Sequence, residues 1–203
     1  MHPSRLPSLL FPLILGIVLG LDAQPAAGKF LVAARGLADP NFERSVVLLV
    51  QYEAEGSWGL VINRTTEVPL SRLFPEEPGL HRGDGTLHTG GPVSAGRFLL
   101  LLRAARRPAD ARPVFADVYL GWTPAALKEE GARAVSDFRV YSGYAGWAPG
   151  QLEAEIARGD WRLLPAEAPL VFADDPERVW EAVTRRLDTP VASGDGITME
   201  VPL

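Results

Sequence analysis

Apolar positions cluster in short strand-length blocks through the first two-thirds of the chain and take helical spacing mainly towards its end. Lys29–Ala34 is an apolar segment that predicts a first strand. Ser45–Tyr52 (Ser-Val-Val-Leu-Leu-Val-Gln-Tyr) and Trp58–Asn63 are continuous apolar runs around a polar, glycine-containing stretch, Glu53–Ser57. Runs of that length, rich in β-branched residues, read as a hairpin with largely buried strands. Asp39-Pro40-Asn41-Phe42 reads as a turn, because Asp39 can accept backbone N–H bonds and Pro40 presets φ. Val68–Phe74, bounded by Pro69 and Pro75, predicts a short helix or turn, and Pro75–Gly85 a loop. Thr86–Gly91 returns to strand until Pro92, which has no N–H to continue the pairing. Arg97–Arg103 and Val114–Leu120 are further strands, and Phe138–Tyr141, Trp161–Pro165 and Pro169–Phe172 shorter ones.

Three segments carry helix signals. Thr123 caps Pro124–Arg133, with Pro124 at the first helical position. Pro149 opens a helix with Leu152 and Ile156 on one face, and Gly159 ends it. Asp175 caps Pro176–Leu187, where Val179, Trp180 and Val183 face the core. The stretch from Asp188 to Leu203 reads as an extended or poorly ordered tail. With no repeat and no interdomain linker, the pattern is that of one α+β domain with mostly antiparallel strands.

The N-terminus changes which residues belong to that domain. Arg5 is followed by an apolar run, Leu6–Leu21, and then by small residues from Ala23 to Gly28, the order of a secretory signal. The run is interrupted by Pro7 and Pro12 and falls short of the about 20 residues a membrane-spanning helix needs. The expectation is a signal peptide over 1–27, a domain over 28–190 and a tail over 191–203, with export to the periplasm or medium and no membrane span after cleavage. An uncleaved anchor and a misassigned start, hence a cytoplasmic protein, are the alternatives. The net charge is −5, which argues against sequence-independent nucleic-acid binding. The chain has no cysteine, which excludes disulfides, thiol nucleophiles and Cys-based zinc sites. His81 and His88 lack the i,i+4 spacing that sets two ligands on one helical face, so neither metal nor organic cofactor is expected.

Candidate chemistry is sparse. Gly90-Gly91-Pro92 reads as a tight turn between strands, without the further glycines of a phosphate loop. His88, with Asp84 or another carboxylate and Ser45, is raw material for a small hydrolase, although the Gly-x-Ser-x-Gly elbow is absent. Glu153 and Glu155 point about 200° apart on a helix, whereas Gln151 and Glu155 are i,i+4 neighbours that form one polar site. Trp58, Trp122, Trp161 and Trp180 read as core anchors, and Trp147, among glycines, as a partly uncovered ring.

Three blocks in order resemble the YqgE/AlgH family. They are Asp39-Pro40-Asn41-Phe42 with Gly59-Leu60-Val61-Ile62-Asn63-Arg64; Gly90-Gly91-Pro92-Val93; and Gly143-Tyr144-Ala145-Gly146-Trp147 with Gly150-Gln151-Leu152-Glu153 and Glu155. The resemblance runs from Phe30 to about Leu187 and implies a bifurcated, mostly antiparallel sheet curled into a pseudo-barrel with flanking helices. The family name implies a regulatory role and brings no agreed catalytic residues. Its members are generally taken to be cytoplasmic, from which this chain's N-terminus departs. The expected function is a non-catalytic binding or interaction domain, its partner a protein or small molecule. The candidate patch is Asn63, Gly90, Gly91, Trp147, Gln151 and Glu155, with the Gly143–Gly150 block packed on the Gly59–Asn63 strand or the Gly90–Val93 turn. The hydrolase is the alternative.

Overall fold

The apolar runs become the strands of one curled sheet in the computed structural model, which describes residues 24–81, 85–108, 110–122 and 135–189. The strands are β1 (Lys29–Ala33), β2 (Val46–Glu53), β3 (Gly56–Val61), β4 (Thr65–Pro69), β5 (Thr86–Thr89), β6 (Val93–Ala104), β7 (Arg112–Phe115), β8 (Val118–Gly121), β9 (Val135–Trp147) and β10 (Trp161–Pro165). The helices are α1 (Leu70–Leu73), α2 (Gln151–Arg158), α3 (Ala168–Val171) and α4 (Val179–Asp188). The sheet order is β10-β1-β2-β3-β9-β6-β8-β7, with β4 and β5 forming a side branch. Every pairing is antiparallel except that of β5 with β9.

The branch point lies on β9. Its middle pairs with β5 through Leu87↔Val140, His88↔Tyr141 and Thr89↔Ser142. Its last residues pair instead with β3, through Ser57↔Trp147, Trp58↔Gly146 and Gly59↔Ala145. Gly143, at φ +70°, is where the strand changes partner. The Gly90-Gly91 turn fills the fork: Gly90 N–H donates to Ser142 O at 2.8 Å and Gly90 O accepts from Val61 N–H at 2.8 Å. A Cβ on Gly90 would lie 2.3 Å from Gly143 O, and one on Gly91 2.3 Å from the Tyr144 carbonyl carbon, so the fork closes only around glycine.

Strand alternation sorts the core into two clusters. Leu99 and Leu101 of β6, with Tyr141, Ala145 and Trp147 of β9, face the larger cluster with β1, β2 and β3. Leu100 and Leu102, with Phe138 and Val140, face the smaller one under α1 and β5. The period of two therefore turns one continuous leucine run into contacts for both faces. At the sheet's far end β7 curls back towards β2, where Arg112 Nη2 donates to Val50 O at 2.9 Å and Nη1 to Gln51 Oε1 at 3.3 Å. The result is a half-barrel joined by side chains rather than by a strand ladder.

Several expectations are corrected. Pro169–Phe172 is helical, as α3; its proline occupies the first turn, where no N–H is required. The short strand at Phe138–Tyr141 runs from Val135 to Trp147. Thr65–Glu67, polar and unassigned in the sequence, and Val68–Pro69, expected to open the short helix or turn, form strand β4, and the helix starts at Leu70. Asp175 makes no side-chain cap, a 3-10 turn over Pro176–Arg178 leads into α4, and Asp188 ends that helix rather than beginning a tail. The helix expected over Pro124–Arg133, Asp84, most of the expected signal and the tail from residue 191 lie outside the described residues.

Candidate functional site

The Gly143–Gly150 block packs on both expected segments. β9 carries it along β3, and Gly91 lies against Tyr144 and Ala145. Just beyond, the residues around α2 form a closed polar set. The Glu155 carboxylate accepts from Trp147 Nε1 at 2.8 Å, from Trp161 Nε1 at 2.8 Å and from Gln151 Nε2 at 2.9 Å. Gln151 Oε1 in turn accepts from Ala148 N–H at 3.1 Å. A hollow of about 240 Å³ borders this set, with Phe42 and Asp160 among its walls. Trp147 is only 5% exposed, stacks on Phe42 at 6.2 Å and meets Trp161 edge to face at 6.0 Å, so the ring expected to be uncovered is a core ring instead. Glu155 and Gln151 thus bind the protein's own indoles and backbone.

Asn63 also has a local task. Its Oδ1 accepts from Val46 N–H at 2.7 Å and its Nδ2 donates to Arg44 O at 2.9 Å, holding the turn into β2, where Arg44 adopts φ +53°. Of the expected patch, Gly90 and Gly91 are buried in the fork and Asn63 is 6% exposed. The six residues are drawn from neighbouring segments but do not share one open surface. The hydrolase reading finds no support. Ser45 is fully buried with its hydroxyl donated to Phe42 O at 2.7 Å, and His88 is fully buried beside Tyr141. Neither offers a nucleophile or base to a substrate. No group of three or more His, Asp or Glu among the described residues is arranged to hold a metal ion, and no helix among them is long and apolar enough to cross a membrane.

Open chemistry collects elsewhere, at the mouth of the half-barrel. Gln51, Trp58, Arg97, Leu99, Trp122 and Tyr144 line a hollow of about 160 Å³, with Leu99 of the main core among its walls. A shallower trough of about 360 Å³ shares Gln51, Trp58 and Tyr144 with it and continues past Gly146 to Glu55 and Gly56, so the two form one groove. The registers build its floor. Gln51 pairs with Trp58, Trp58 with Gly146, and Tyr144, two residues from Gly146, shares that strand face. Trp58 and Tyr144 meet edge to face at 5.7 Å, and Trp58 and Trp122 lie 6.1 Å apart at 44°. Trp122 is 40% exposed.

One wall is a bulge. Between the pairs Val93↔Tyr144 and Phe98↔Ser142, β6 inserts Ser94 to Arg97 opposite Gly143 alone. The bulge is tied down by Ser142 Oγ donating to Ala95 O, and Ser94 takes φ +52°, rare for a residue with a Cβ. It presents the Arg97 guanidinium over the Trp122 ring at 5.1 Å. Among the described residues Arg97 has no carboxylate partner and the Tyr144 hydroxyl has no hydrogen-bond partner. Gln51 Oε1 is taken by Trp58 Nε1 at 3.1 Å and by Arg112, which leaves its amide N–H groups for a ligand. Hydrophobic patterning could not find this groove, because Trp58 and Trp122 sit beside apolar strands and are indistinguishable there from core anchors.

A family model described as AlgH-like matches residues 30–192. A UPF0301 protein of Streptomyces coelicolor is 40% identical over 171 residues, covering 81% of this chain and 88% of that one. A UPF0301 protein of Streptomyces avermitilis is 38% identical over 176 residues, with 81% and 88% covered. Among solved structures, a Corynebacterium diphtheriae protein superposes with TM-score 0.72 at 28% identity, over 83% of this chain and 90% of that one. The solution structure of the AlgH protein from Pseudomonas aeruginosa superposes with TM-score 0.65 at 29% identity, over 81% and 89%.

Proposed function

The chain belongs to the AlgH-like family, and from that premise and the groove geometry we propose that it is a non-catalytic binding domain whose site is the aromatic groove at the mouth of the half-barrel. One observation carries the reading. An exposed indole, a guanidinium with no carboxylate partner among the described residues and an amide with donors uncommitted among them converge on one concavity, the arrangement of a few polar groups among aromatic walls that small binding sites use. Among the described residues that line it, the site has no nucleophile, no histidine and no carboxylate pair, and recognition is the chemistry those residues support. The test follows the Trp122 and Trp58 indole N–H signals in two-dimensional NMR while a panel of aromatic carboxylates and short peptides is titrated. Saturable shifts at these indoles, lost in Trp122→Ala, are the expected result. Shifts that map to another surface, or none at any indole, would overturn the assignment.

Export is part of the same proposal, supported by the Leu6–Leu21 apolar run ahead of the matched domain. Mass spectrometry of the native protein is expected to find an N-terminus between Gln24 and Lys29. An intact Met1 on a protein in the cytosolic fraction would remove this part and leave the binding site untouched.

A further inference from the structure

We propose that the occupant of the aromatic groove is an extended, proline-bearing peptide segment of a partner protein, with an acidic side chain seated at Arg97. The inference rests on the binding-domain reading and names the ligand for that same site.

Shape comes first. The groove is a trough rather than a round pocket: the deeper hollow at Trp122 and Arg97 opens along Trp58 and Tyr144 into the shallow run past Gly146 to Glu55. A single planar ring would cover one end and leave the other wet. Nor would it fit between the two tryptophans, whose centroids at 6.1 Å are too close for a third ring to stack. An extended chain lying across the aromatic edges covers the full length.

The polar groups have the polarity such a chain needs. A polyproline-type segment makes no internal hydrogen bonds and presents its carbonyls outward. Among the described residues, the Gln51 amide N–H groups and the Tyr144 hydroxyl are uncommitted donors at mid-groove. Proline rings pack on indole and phenol faces at little entropic cost, because the segment is already extended when free. Charge then sets the orientation. Among the described residues, the end at Arg97 is cationic and contains no acidic side chain, while the opposite end carries Glu55, which has no ion-pair partner. A peptide acidic at one end and neutral or basic at the other matches both.

Gly146 supplies a clean probe of this surface. A Cβ there would meet only the Tyr144 ring edge at 3.3 Å and the tip of Val93 at 3.8 Å, so a larger side chain projects into the trough and not into the core. A larger residue at this position is therefore expected to block the groove rather than to overpack the core.

The experiment selects a library of random peptides displayed on phage against the full chain, with counter-selection on Trp122→Ala. Enriched sequences are expected to combine proline with Asp or Glu. Synthetic versions, measured by fluorescence anisotropy, are expected to lose at least about tenfold in affinity on Arg97→Glu and to recover when their acidic residue is changed to lysine. Gly146→Leu, shown by urea melts to be folded, is expected to abolish binding. Enrichment of basic peptides, affinities that ignore Arg97→Glu, or no enrichment over the counter-selected variant would overturn the inference. In that last case, an aromatic carboxylate that still shifts the Trp122 indole keeps the binding domain and removes only its peptide ligand. If neither probe touches the groove, both fall.

Discussion

Glu155 shows how a polar residue in a polar-looking position becomes structural. Its carboxylate holds two indoles that the chain separates by fourteen positions, Trp147 at the end of β9 and Trp161 at the start of β10, with α2 between them. In Glu155→Gln one oxygen becomes an amide donor that must face either an indole N–H or Gln151 Nε2. Gln151 cannot turn its own oxygen inward without giving up Ala148 N–H. The variant is expected to lose about 1–3 kcal/mol in urea melts, the usual effect of leaving partly buried donors unmatched. A red shift of tryptophan emission is expected with it; an unchanged midpoint would show that the carboxylate is not what holds the rings. The sequence did reveal that Gln151 and Glu155 share a helix face, because i,i+4 spacing is local. It could not reveal the indoles, since no periodicity connects a strand end to the next strand across a helix, and so Trp147 read as exposed when it is core.

The same contrast between local and distant information governs the elements. The hairpin β2–β3, the α2 stop at Gly159 and the apolar face of α4 were legible, because each depends on residues within a few positions of one another. α3 was not, since a four-residue apolar window is equally a buried strand or a helical turn. The length of β9 was hidden for another reason: glycines weaken a strand reading, and here they mark the place where β9 leaves β5 for β3 and the Gly90-Gly91 turn wedges between them. The two kinds of glycine can be told apart by experiment. Gly91→Ala forces a Cβ against backbone at φ +150° and is expected to destabilise by about 3 kcal/mol or more, or to prevent folding. Gly146→Ala meets only side-chain tips and is expected to stay within about 0.5 kcal/mol of the parent. Thermal melts of the pair decide; equal effects would mean that the fork does not depend on close backbone approach.

On the scale of the whole molecule, α4 is fastened across the edge of the sheet by its last residue. Asp188 accepts from Arg35 Nη2, just after β1, at 2.9 Å and from Arg162 Nη1, on β10, at 2.5 Å. A carboxylate at a helix C-terminus is disfavoured by the helix dipole, so the two arginines must more than offset that position. They do, because the hydrogen bond from Arg35, then that from Arg162, hold the Asp188 carboxyl below its ordinary value of 3.8. A carboxylate whose pKa is lower folded than unfolded contributes stability above the unfolded value and loses it as pH falls through the folded one. The contribution is therefore complete at neutral pH, declines below about pH 4 and is gone once the folded group is protonated. Asp188→Asn is expected to be less stable than the parent at neutral pH and to converge with it in strong acid. Because the clip is exposed, the neutral-pH gap is also expected to shrink in high salt. Urea melts of both proteins across the acid range, at low and high ionic strength, test all three statements together. A gap that persists unchanged into acid would mean that Asp188 secures α4 by shape or hydrogen bonding alone, and that charge at the sheet edge is incidental to how the helix is held.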